Sequence, residues 1–232
     1  MPSAGCGGLI VSSKHHQVGV SLKHDSAVGH VTGRALYIDD LPEPAGLLHI
    51  AIGKTTIAKG RVNSLNLDAV AAAPGVVCVL TAEDIPGHTD IGPVFPGDPL
   101  FVEEEVSFLG QTLFAVAATS LDLARRAVLL AEVDYSAEHP RVTIESALDA
   151  QDFVRPSHEM RRGDAEAVLE TASHRVHGEL FVGGQEHFYL EGQAAMAVPQ
   201  EFTPRQGSIL VYTSNQNPTE VQNWLRRCWI SP

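Results

Sequence analysis

Residues 183–191, with the sequence GGQEHFYLE, are the stretch of this chain whose residue types are best suited to chemistry at a ligand. Gly183 and Gly184 carry no side chain and let the backbone approach a ligand closely. Gln185 follows them with a carboxamide that can both donate and accept hydrogen bonds. Composition alone leaves two interpretations open, a ligand-binding segment and an ordinary corner between a strand and a turn.

Other candidate motifs favour structural interpretations. The residues GKT at 53–55 resemble the end of a phosphate-binding loop, but Leu48 stands where that loop requires a glycine. Glu103, Glu104 and Glu105 are adjacent, so their side chains cannot all face one cleft, and we expect a solvated acidic surface. No serine or cysteine lies in a motif that marks a nucleophile.

The histidines and cysteines do not predict a metal site. A strand is expected over residues 174–182, and its alternation would place His174 and His177 on opposite faces. We therefore interpret these two and His187 as ordinary histidines at the surface or in capping positions. The three cysteines are odd in number and far apart, which predicts free thiols and excludes the paired spacing of zinc and iron–sulfur sites. They are Cys6, Cys78 and Cys228.

The composition indicates a soluble globular protein. A formal net charge of -12 and a pI near 5.3 disfavour binding to nucleic acid. No run of about 18 apolar residues predicts a membrane span. Residues 1–18 read as a flexible tail without the pattern of a signal peptide, so we expect a cytoplasmic protein.

The elements that must position these residues are a mixture of helices and strands. Alternating or buried apolar runs predict strands over residues 47–52, 76–80, 112–118, 174–182, 193–198 and 208–213, and a strand ending at Tyr135. Helical spacing and capping residues predict helices over 67–73 and 144–150, after Ser120, after Asp164 and from Pro218. The prolines and glycines of residues 81–99 predict a long irregular loop.

A break at His139 and Pro140, followed by a polar stretch over residues 151–163, predicts two parts. The first is a compact α/β domain over residues 19–140. The second, over residues 141–232, is rich in strands.

Residues 183–191 resemble the corresponding stretch of xanthine dehydrogenases and aldehyde oxidases. Shorter motifs resemble the same proteins in the same order and at similar spacing, and together they make the resemblance specific over roughly residues 19–221. They are HVTG at 30–33, YIDDLP at 37–42, APGVV at 73–77, DIPG at 84–87 and GQ at 110–111.

The resemblance implies an α+β fold. After the tail, residues 19–140 would form the α/β hammerhead domain of that family. Residues 141–232 would form a linker and the incomplete start of the domain that binds the molybdopterin.

The resemblance also implies a role for each candidate site residue. In that family the glutamine that matches Gln185 lies beside the molybdenum and donates a hydrogen bond to its oxo group, which orients that oxygen without ligating the metal. Gly183 and Gly184 would offer backbone to the cofactor. The catalytic glutamate base would lie beyond Pro232. We therefore expect no catalytic residue within this chain, and neither activity nor tight cofactor binding from the chain by itself.

The implied function belongs to a complete enzyme. It is the hydroxylation of hypoxanthine and xanthine towards urate, with electrons passing through iron–sulfur clusters and FAD to NAD. Because this sequence lacks the cysteine spacing for clusters and a flavin domain, the resemblance implies a partner subunit that carries both, and so a hetero-oligomer. The last residues, RRCWISP at 226–232, do not resemble the family's continuation, which predicts a frameshift, a premature stop or an artificial boundary.

Two alternatives stay open. The complete enzyme could hydroxylate an aldehyde or another nitrogen heterocycle, or the chain could be a non-catalytic assembly module.

Overall fold

The computed structural model describes residue 19, residues 21–200 and residues 208–229, so the predicted tail and Cys6 lie outside the described residues. Its helices are α1 (Ala27–Thr32), α2 (Asp68–Ala71), α3 (Leu121–Val128), α4 (Ile144–Asp149), α5 (Ala165–Thr171) and α6 (Pro218–Trp229). Its strands are β1 (His49–Lys54), β2 (Gly60–Asn66), β3 (Val76–Leu80), β4 (Glu105–Val106), β5 (Thr112–Ala118), β6 (Glu132–Ala137), β7 (Ala195–Gln200) and β8 (Ser208–Thr213). None of the described helices is long and apolar enough to cross a bilayer.

The chain divides into two compact units. The first unit is the described part of Met1–Pro42 and of Tyr189–Gln216. The second is Glu43–Phe188 with the described part of Asn217–Pro232. The predicted domain boundary near Pro140 stays a prediction.

Two three-stranded antiparallel sheets form the second unit. In one sheet β5 lies between β1 and β3, and in the other β2 lies between β4 and β6. The sequence of β5, TLFAVAA, is almost entirely apolar, and six of its seven residues are buried. Such an unbroken apolar run suits a strand with neighbours on both edges, which explains its central position.

Helix α3 packs against the sheet that contains β5. It begins at Leu121 because the Ser120 hydroxyl accepts a hydrogen bond from the Leu123 N–H at 3.3 Å. Its buried positions, Ala124 and Ala127, are small and allow close packing against the strands. The main core cluster contains Val70, Val102, Val106, Leu113, Phe114, Val116 and Ala127.

The long loop over residues 81–99 is organised around one carboxylate. Asp90 accepts hydrogen bonds from the N–H groups of Gly92 and Gly97, both at 2.8 Å, and from that of Asp98 at 3.3 Å. The guanidinium of Arg155 lies over the Phe95 ring, 3.1 Å from its centroid. Apart from a 3₁₀ turn at Ala82–Asp84, the loop thus has a defined shape without regular secondary structure, as polar turn residues allow.

The C-terminal end of α6 contacts this loop. The N–H groups of Gly87 and His88 donate to the carbonyls of Cys228 and Arg227 at 2.9 and 3.0 Å, which satisfies acceptors that a helix end leaves open. A Cβ at Gly87 would lie 2.2 Å from the Arg227 oxygen, so this approach requires glycine.

The first unit contains an antiparallel pair and a short N-terminal stretch. Strands β7 and β8 pair from Ala195 opposite Thr213 to Gln200 opposite Ser208. Helix α1 ends at Thr32 and is followed by Gly33, which has a left-handed φ of 69°. A 3₁₀ turn, Ile38–Asp40, follows it.

Most predicted elements are present, and the predicted α+β class is confirmed. Strands β3, β5 and β8 occupy the predicted residues, and the caps at Ser120, Asp164 and Asn217 accept the expected hydrogen bonds. The strand predicted over residues 174–182 is wrong, because this stretch has no regular structure. An alternating pattern needs a neighbouring strand edge to pair with, and no described strand pairs with it.

Candidate functional site

Residues 183–191 lie between α5 and β7 and have no regular secondary structure. Residues 183–190 are exposed. Gly183, Gly184 and Gln185 form no backbone hydrogen bond to another described residue. Their amides and carbonyls are therefore open to water or to a ligand.

The three predicted site residues are consecutive and unobstructed. A Cβ added at Gly183 or Gly184 would meet no atom within 4 Å, so the backbone here is open on its side-chain face. The Gln185 carboxamide is exposed and has two N–H donors for a ligand. This arrangement suits hydrogen bonding to a polar ligand, and the roles of the three residues stay a prediction.

The backbone after Gln185 has one unusual conformation, at Phe188. The Phe188 N–H donates to Glu186 Oε1 at 3.3 Å, and Phe188 has a φ of 53°, in the left-handed region that non-glycine residues rarely adopt. Residues in such conformations cluster at ligand sites, where the surrounding structure holds them. The Phe188 ring is 91% exposed.

Apolar side chains around this segment are exposed to an unusual extent. Scattered exposed apolar residues are common on soluble proteins, but here seven of them lie within residues 176–190. The exposed residues are Val176, Leu180, Phe181, Val182, Phe188, Tyr189 and Leu190.

The histidines do not form a metal site in the part of the chain that the structure describes. No group of three or more His, Cys, Asp or Glu side chains among the described residues could hold a metal ion. His174, His177 and His187 are exposed, as predicted for surface histidines. The reason given from the sequence, opposite faces of one strand, is wrong because no strand forms there.

The GKT residues at 53–55 serve packing. Gly53 lies opposite Phe114, and a Cβ at this position would lie 2.1 Å from Phe114 Cε1. The buried Thr55 hydroxyl donates to the Phe108 carbonyl at 3.1 Å and accepts from the Gly110 and Gln111 N–H groups at 3.0 Å. The hydroxyl thus uses both its donor and its acceptor capacity within the protein, which agrees with the structural interpretation of this motif.

The acidic residues at 103–105 are exposed and paired, as predicted for a solvated surface. Arg61 forms ion pairs with Glu104 and Glu105, and the Thr89 hydroxyl donates to Glu103 Oε1 at 3.2 Å. Exposed pairs of this kind contribute little stability.

The described cysteines, Cys78 and Cys228, are free, as predicted. Partial burial raises the pKa of the Cys228 thiol, which makes it a poor nucleophile.

The second unit contains an open cleft of about 620 Å³ at one end of β2. Its cations are paired with carboxylates: Lys59 with Glu138 at 3.8 Å and Arg141 with Asp152 at 2.7 Å. None of the predicted site residues lines it. The cleft therefore has no unpaired charge that would select an ionic ligand.

Sequence reasoning missed a contact at the end of the candidate segment. Glu191 is half-buried, and its Oε1 accepts a hydrogen bond from the Ile38 N–H at 2.9 Å. The only signal in the sequence was that both residues lie in motifs shared with the same family, residues 37–42 and 183–191.

Two family models match this chain. The model described as "Aldehyde oxidase and xanthine dehydrogenase, a/b hammerhead domain" matches residues 32–139. The model described as "Molybdopterin cofactor-binding domain" matches residues 149–231, which include Gln185.

Curated relatives and a solved structure agree with these matches. The chain is 34% identical over 209 residues to aldehyde oxidase 4 of Mus musculus, covering 90% of this chain and 15% of that protein. It is 32% identical over 207 residues to xanthine dehydrogenase/oxidase of Gallus gallus, covering 89% of this chain and 15% of that protein. The aldehyde oxidoreductase from Desulfovibrio gigas superposes with a TM-score of 0.67 at 26% identity, covering 82% of this chain and 23% of that one. The chain thus spans about 15% of the length of the curated relatives it matches.

Proposed function

This chain belongs to the aldehyde oxidase and xanthine dehydrogenase family of molybdenum oxidoreductases, and we propose that it is part of the molybdenum-cofactor-binding subunit of a xanthine dehydrogenase. The expected fold, a hammerhead domain followed by the start of a molybdopterin-binding domain, is confirmed by the two family models. The observation that carries the proposal is the exposed segment with Gln185, which lies inside the molybdopterin-binding match.

The proposed reaction is hydroxylation of hypoxanthine and xanthine towards urate by the complete enzyme. The molybdenum cofactor, when bound, supplies the redox and oxygen-transfer chemistry. Similarity to xanthine dehydrogenase/oxidase of Gallus gallus over 89% of this chain supports the purine substrate.

The described residues fit one side of such a cofactor. Gly183 and Gly184 present open backbone, and Gln185 adds two N–H donors at the next position. These groups suit the oxygen and nitrogen acceptors of a pterin and of groups beside its metal. They are hydrogen-bonding groups, not metal ligands.

We propose that the Gln185 carboxamide donates a hydrogen bond at the reacting centre. A donor that is already oriented costs little reorganisation when charge develops, and it therefore stabilises the transition state. Gly183 and Gly184 would let the cofactor approach the backbone without a steric clash. The catalytic base is proposed to lie in the part of the enzyme that this chain does not include.

The electron path is proposed to run through a partner subunit. Iron–sulfur clusters and FAD on that subunit would carry the electrons to NAD, in a cytoplasmic hetero-oligomer that binds neither nucleic acid nor membrane. The net charge of -12 supports the exclusion of nucleic acid.

A second candidate function has support of the same kind. Identity to aldehyde oxidase 4 of Mus musculus is 34%, slightly higher than the 32% identity to xanthine dehydrogenase/oxidase of Gallus gallus. An enzyme that hydroxylates an aldehyde or another nitrogen heterocycle is therefore the alternative. A non-catalytic assembly module is the third possibility.

A comparison of substrates with the complete enzyme distinguishes these functions. The enzyme, purified with its partner subunit and full molybdenum content, would be assayed with xanthine, hypoxanthine, an aromatic aldehyde and a nitrogen heterocycle that is not a purine. We expect kcat/KM for xanthine to exceed that for the aldehyde by at least about a hundredfold, a ratio that matched polar groups in a substrate site readily provide. A ratio near one or below selects the aldehyde enzyme, and no turnover of any substrate selects the assembly module.

A further inference from the structure

The loop over residues 81–99 has an apolar tip. Residues 93–96, with the sequence PVFP, are all exposed, and we call them the loop tip. Within it Val94 is 75% exposed and Phe95 is 47% exposed. None of the four side chains has a polar group, so covering them removes apolar surface from water without breaking a side-chain hydrogen bond.

Hydrogen bonds at the base of the loop hold the loop tip in place. The Ile91 N–H donates to the Asp98 carbonyl at 3.0 Å, and the Leu100 N–H donates to the Thr89 carbonyl at 2.8 Å. The Asp90 carboxylate adds the three bonds to amides of the same loop that are described above. A surface whose shape is fixed before binding loses little conformational entropy when a partner covers it.

An arginine from the second matched region already covers part of the loop tip. Arg155 belongs to the molybdopterin-binding match, residues 149–231, whereas Phe95 belongs to the hammerhead match, residues 32–139. The Arg155 guanidinium lies 3.1 Å from the centroid of the Phe95 ring. Arginine and phenylalanine are both enriched where protein surfaces meet, so this contact is of a kind that joins domains.

The end of α6 contacts the same loop nearer its start. The N–H groups of Gly87 and His88 donate to the carbonyls of Cys228 and Arg227, and α6 also belongs to the molybdopterin-binding match. All residues of both contacts lie in the second unit. One loop of the hammerhead match is thus contacted by an early segment and by a late segment of the second match.

From these contacts we infer that residues 81–99 are the surface on which the hammerhead domain docks the molybdopterin-binding domain, and that the loop tip binds further apolar side chains of that domain in the complete subunit. Val94 is next to Phe95, so its exposed side chain continues a contact that Arg155 has already begun. The inference rests on the proposed function, because it requires the complete subunit.

Hydroxyl-radical labelling with mass spectrometry tests the occupant of the loop tip. The 232-residue chain would be compared with the complete, cofactor-loaded molybdenum subunit, first without and then with its partner subunit, and unfolded samples would correct for intrinsic reactivity. Labelling of Val94 and Phe95 should be at least about fivefold slower in the complete subunit alone, because the core of an interface excludes water.

Three results of this comparison would overturn the inference. Equal labelling in the chain and in the complete subunit would show that the loop tip stays free. Protection that appears only with the partner subunit would assign the loop tip to that subunit. Protection in the 232-residue chain that rises with its concentration would assign it to a second copy.

A charge placed on the loop tip should separate docking from folding. In the 232-residue chain Val94→Asp should leave the urea midpoint unchanged, because the position is exposed. In the complete subunit it would bury an unpaired carboxylate, so labelling of Phe95 should rise at least about threefold. Val142→Asp is the matched control, since Val142 is 80% exposed and lies outside the loop, and Phe95 should stay protected. Val94→Ala, which adds no charge, should raise the labelling of Phe95 by less, and unchanged labelling in both Val94 variants would overturn the inference.

The contact with α6 has its own test in the 232-residue chain. Gly87→Ala places a Cβ about 2.2 Å from the Arg227 oxygen, so amide exchange at His88 should become about tenfold faster, as expected for the loss of one hydrogen bond. The chain's two tryptophans, Trp224 and Trp229, both lie in α6, so their emission should change as well. Gly178→Ala, at a position in open space, should change neither readout.

Unchanged exchange and emission in Gly87→Ala would contradict the docking of α6 on this loop. None of these readouts depends on the substrate. A complete enzyme that hydroxylates no xanthine would refute the proposed function, while the labelling result would still decide what covers the loop tip.

Discussion

Gln185 has an exposed carboxamide, and we propose that this group acts only when the cofactor is bound. In the complete enzyme we expect Gln185→Ala to lower kcat by an amount equivalent to about 3 kcal/mol, the typical loss of one oriented donor near developing charge. Folding should be unaffected, because the side chain is exposed. Steady-state kinetics normalised to molybdenum content provide the measurement.

Gln193→Ala is the matched control for this change. Gln193 is also exposed and lies outside the segment that we assign to the cofactor. Normal turnover of Gln185→Ala with intact metal content would refute the assignment.

Gly53 is a residue at which the sequence suggested ligand chemistry and the structure shows packing. Its Cβ would lie 2.1 Å from Phe114, whose ring is 1% exposed and cannot move aside. Gly53→Ala should therefore lower the free energy of unfolding by about 1–3 kcal/mol, as overpacking of a filled core does. Urea denaturation measures this change as a lower midpoint at an unchanged slope.

Gly178 offers the comparison for Gly53. It lies in open space, so Gly178→Ala should leave the urea midpoint within experimental error of the parent. Equal midpoints for the two alanine variants would show that the close packing at Gly53 is not the reason for its glycine.

At the scale of elements, the strands predicted from the sequence are those whose apolar and polar residues alternate regularly or whose residues are almost all apolar. Strand β2 was missed because a register shift between Val62 and Ser64 interrupts its alternation. Val62 and Leu65 both pack against the core although they are three residues apart, which no period-two pattern predicts. A bulge depends on the partner strand, so a single sequence does not reveal it.

Strand β1 shows a second limit. Its aliphatic residues, Ile50 and Ile52, are exposed, whereas Ala51 and Gly53 face the packed side. Helix α3 and Phe114 lie too close to that side for larger residues. Hydrophobicity alone would predict that Ile50 and Ile52 face the core.

The candidate site was predicted as residue types but not as a contact network. Consecutive residues such as Gly183, Gly184 and Gln185 can be identified from local composition. The Ile38 contact of Glu191 could not, because it spans 153 residues and is made by a backbone N–H that any residue type provides.

The hydrogen bonding of the loop around Asp90 should depend on pH. Hydrogen bonds from the N–H groups of Gly92 and Gly97, with a smaller contribution from Asp98, hold the pKa of the Asp90 carboxyl below its usual value of 3.8. A group with a lowered pKa in the folded state stabilises it above the unfolded pKa, and this contribution is lost as pH falls through the folded pKa. The hydrogen bonds to the Asp90 carboxylate should therefore persist at pH 4 and weaken only below about pH 3.8.

Amide chemical shifts of Gly92 and Gly97 follow this transition by NMR. Asp90→Asn should abolish the pH dependence that the Gly92 and Gly97 amides share. Asp98→Asn changes a neighbouring exposed carboxylate that does not accept these hydrogen bonds, so the pH dependence should remain. A common midpoint above 3.8 would contradict the assignment.

At the scale of the whole molecule, the exposed residues around the site predict that this chain does not work alone. The contacts proposed for Gln185 and the two glycines would lie on one side of the cofactor, so its remaining polar groups would stay in water and little affinity would result. We expect the purified chain, produced in a host that makes the cofactor, to contain less than about a tenth of an equivalent of molybdenum and to oxidise no xanthine.

Metal analysis and a xanthine assay check this prediction. The complete subunit, produced in the same host, is the control and should contain close to one equivalent. Stoichiometric molybdenum with xanthine oxidation by the 232-residue chain would show that the site lies largely within it. The exposed Phe181, Phe188 and Leu190 also predict self-association of the chain, which light scattering would detect.

The hydrogen bond between Ile38 and Glu191 can form only late during synthesis on the ribosome, because it spans 153 residues of sequence. Ile38 emerges 153 residues before the carboxylate that binds it, and at about 5–20 residues per second this interval lasts roughly 8–30 s. For that time the Ile38–Asp40 turn has no long-range partner, although the strands of the second unit can already pair. Slow translation would lengthen this interval. A chaperone that binds the nascent N-terminal stretch would bind it during this time.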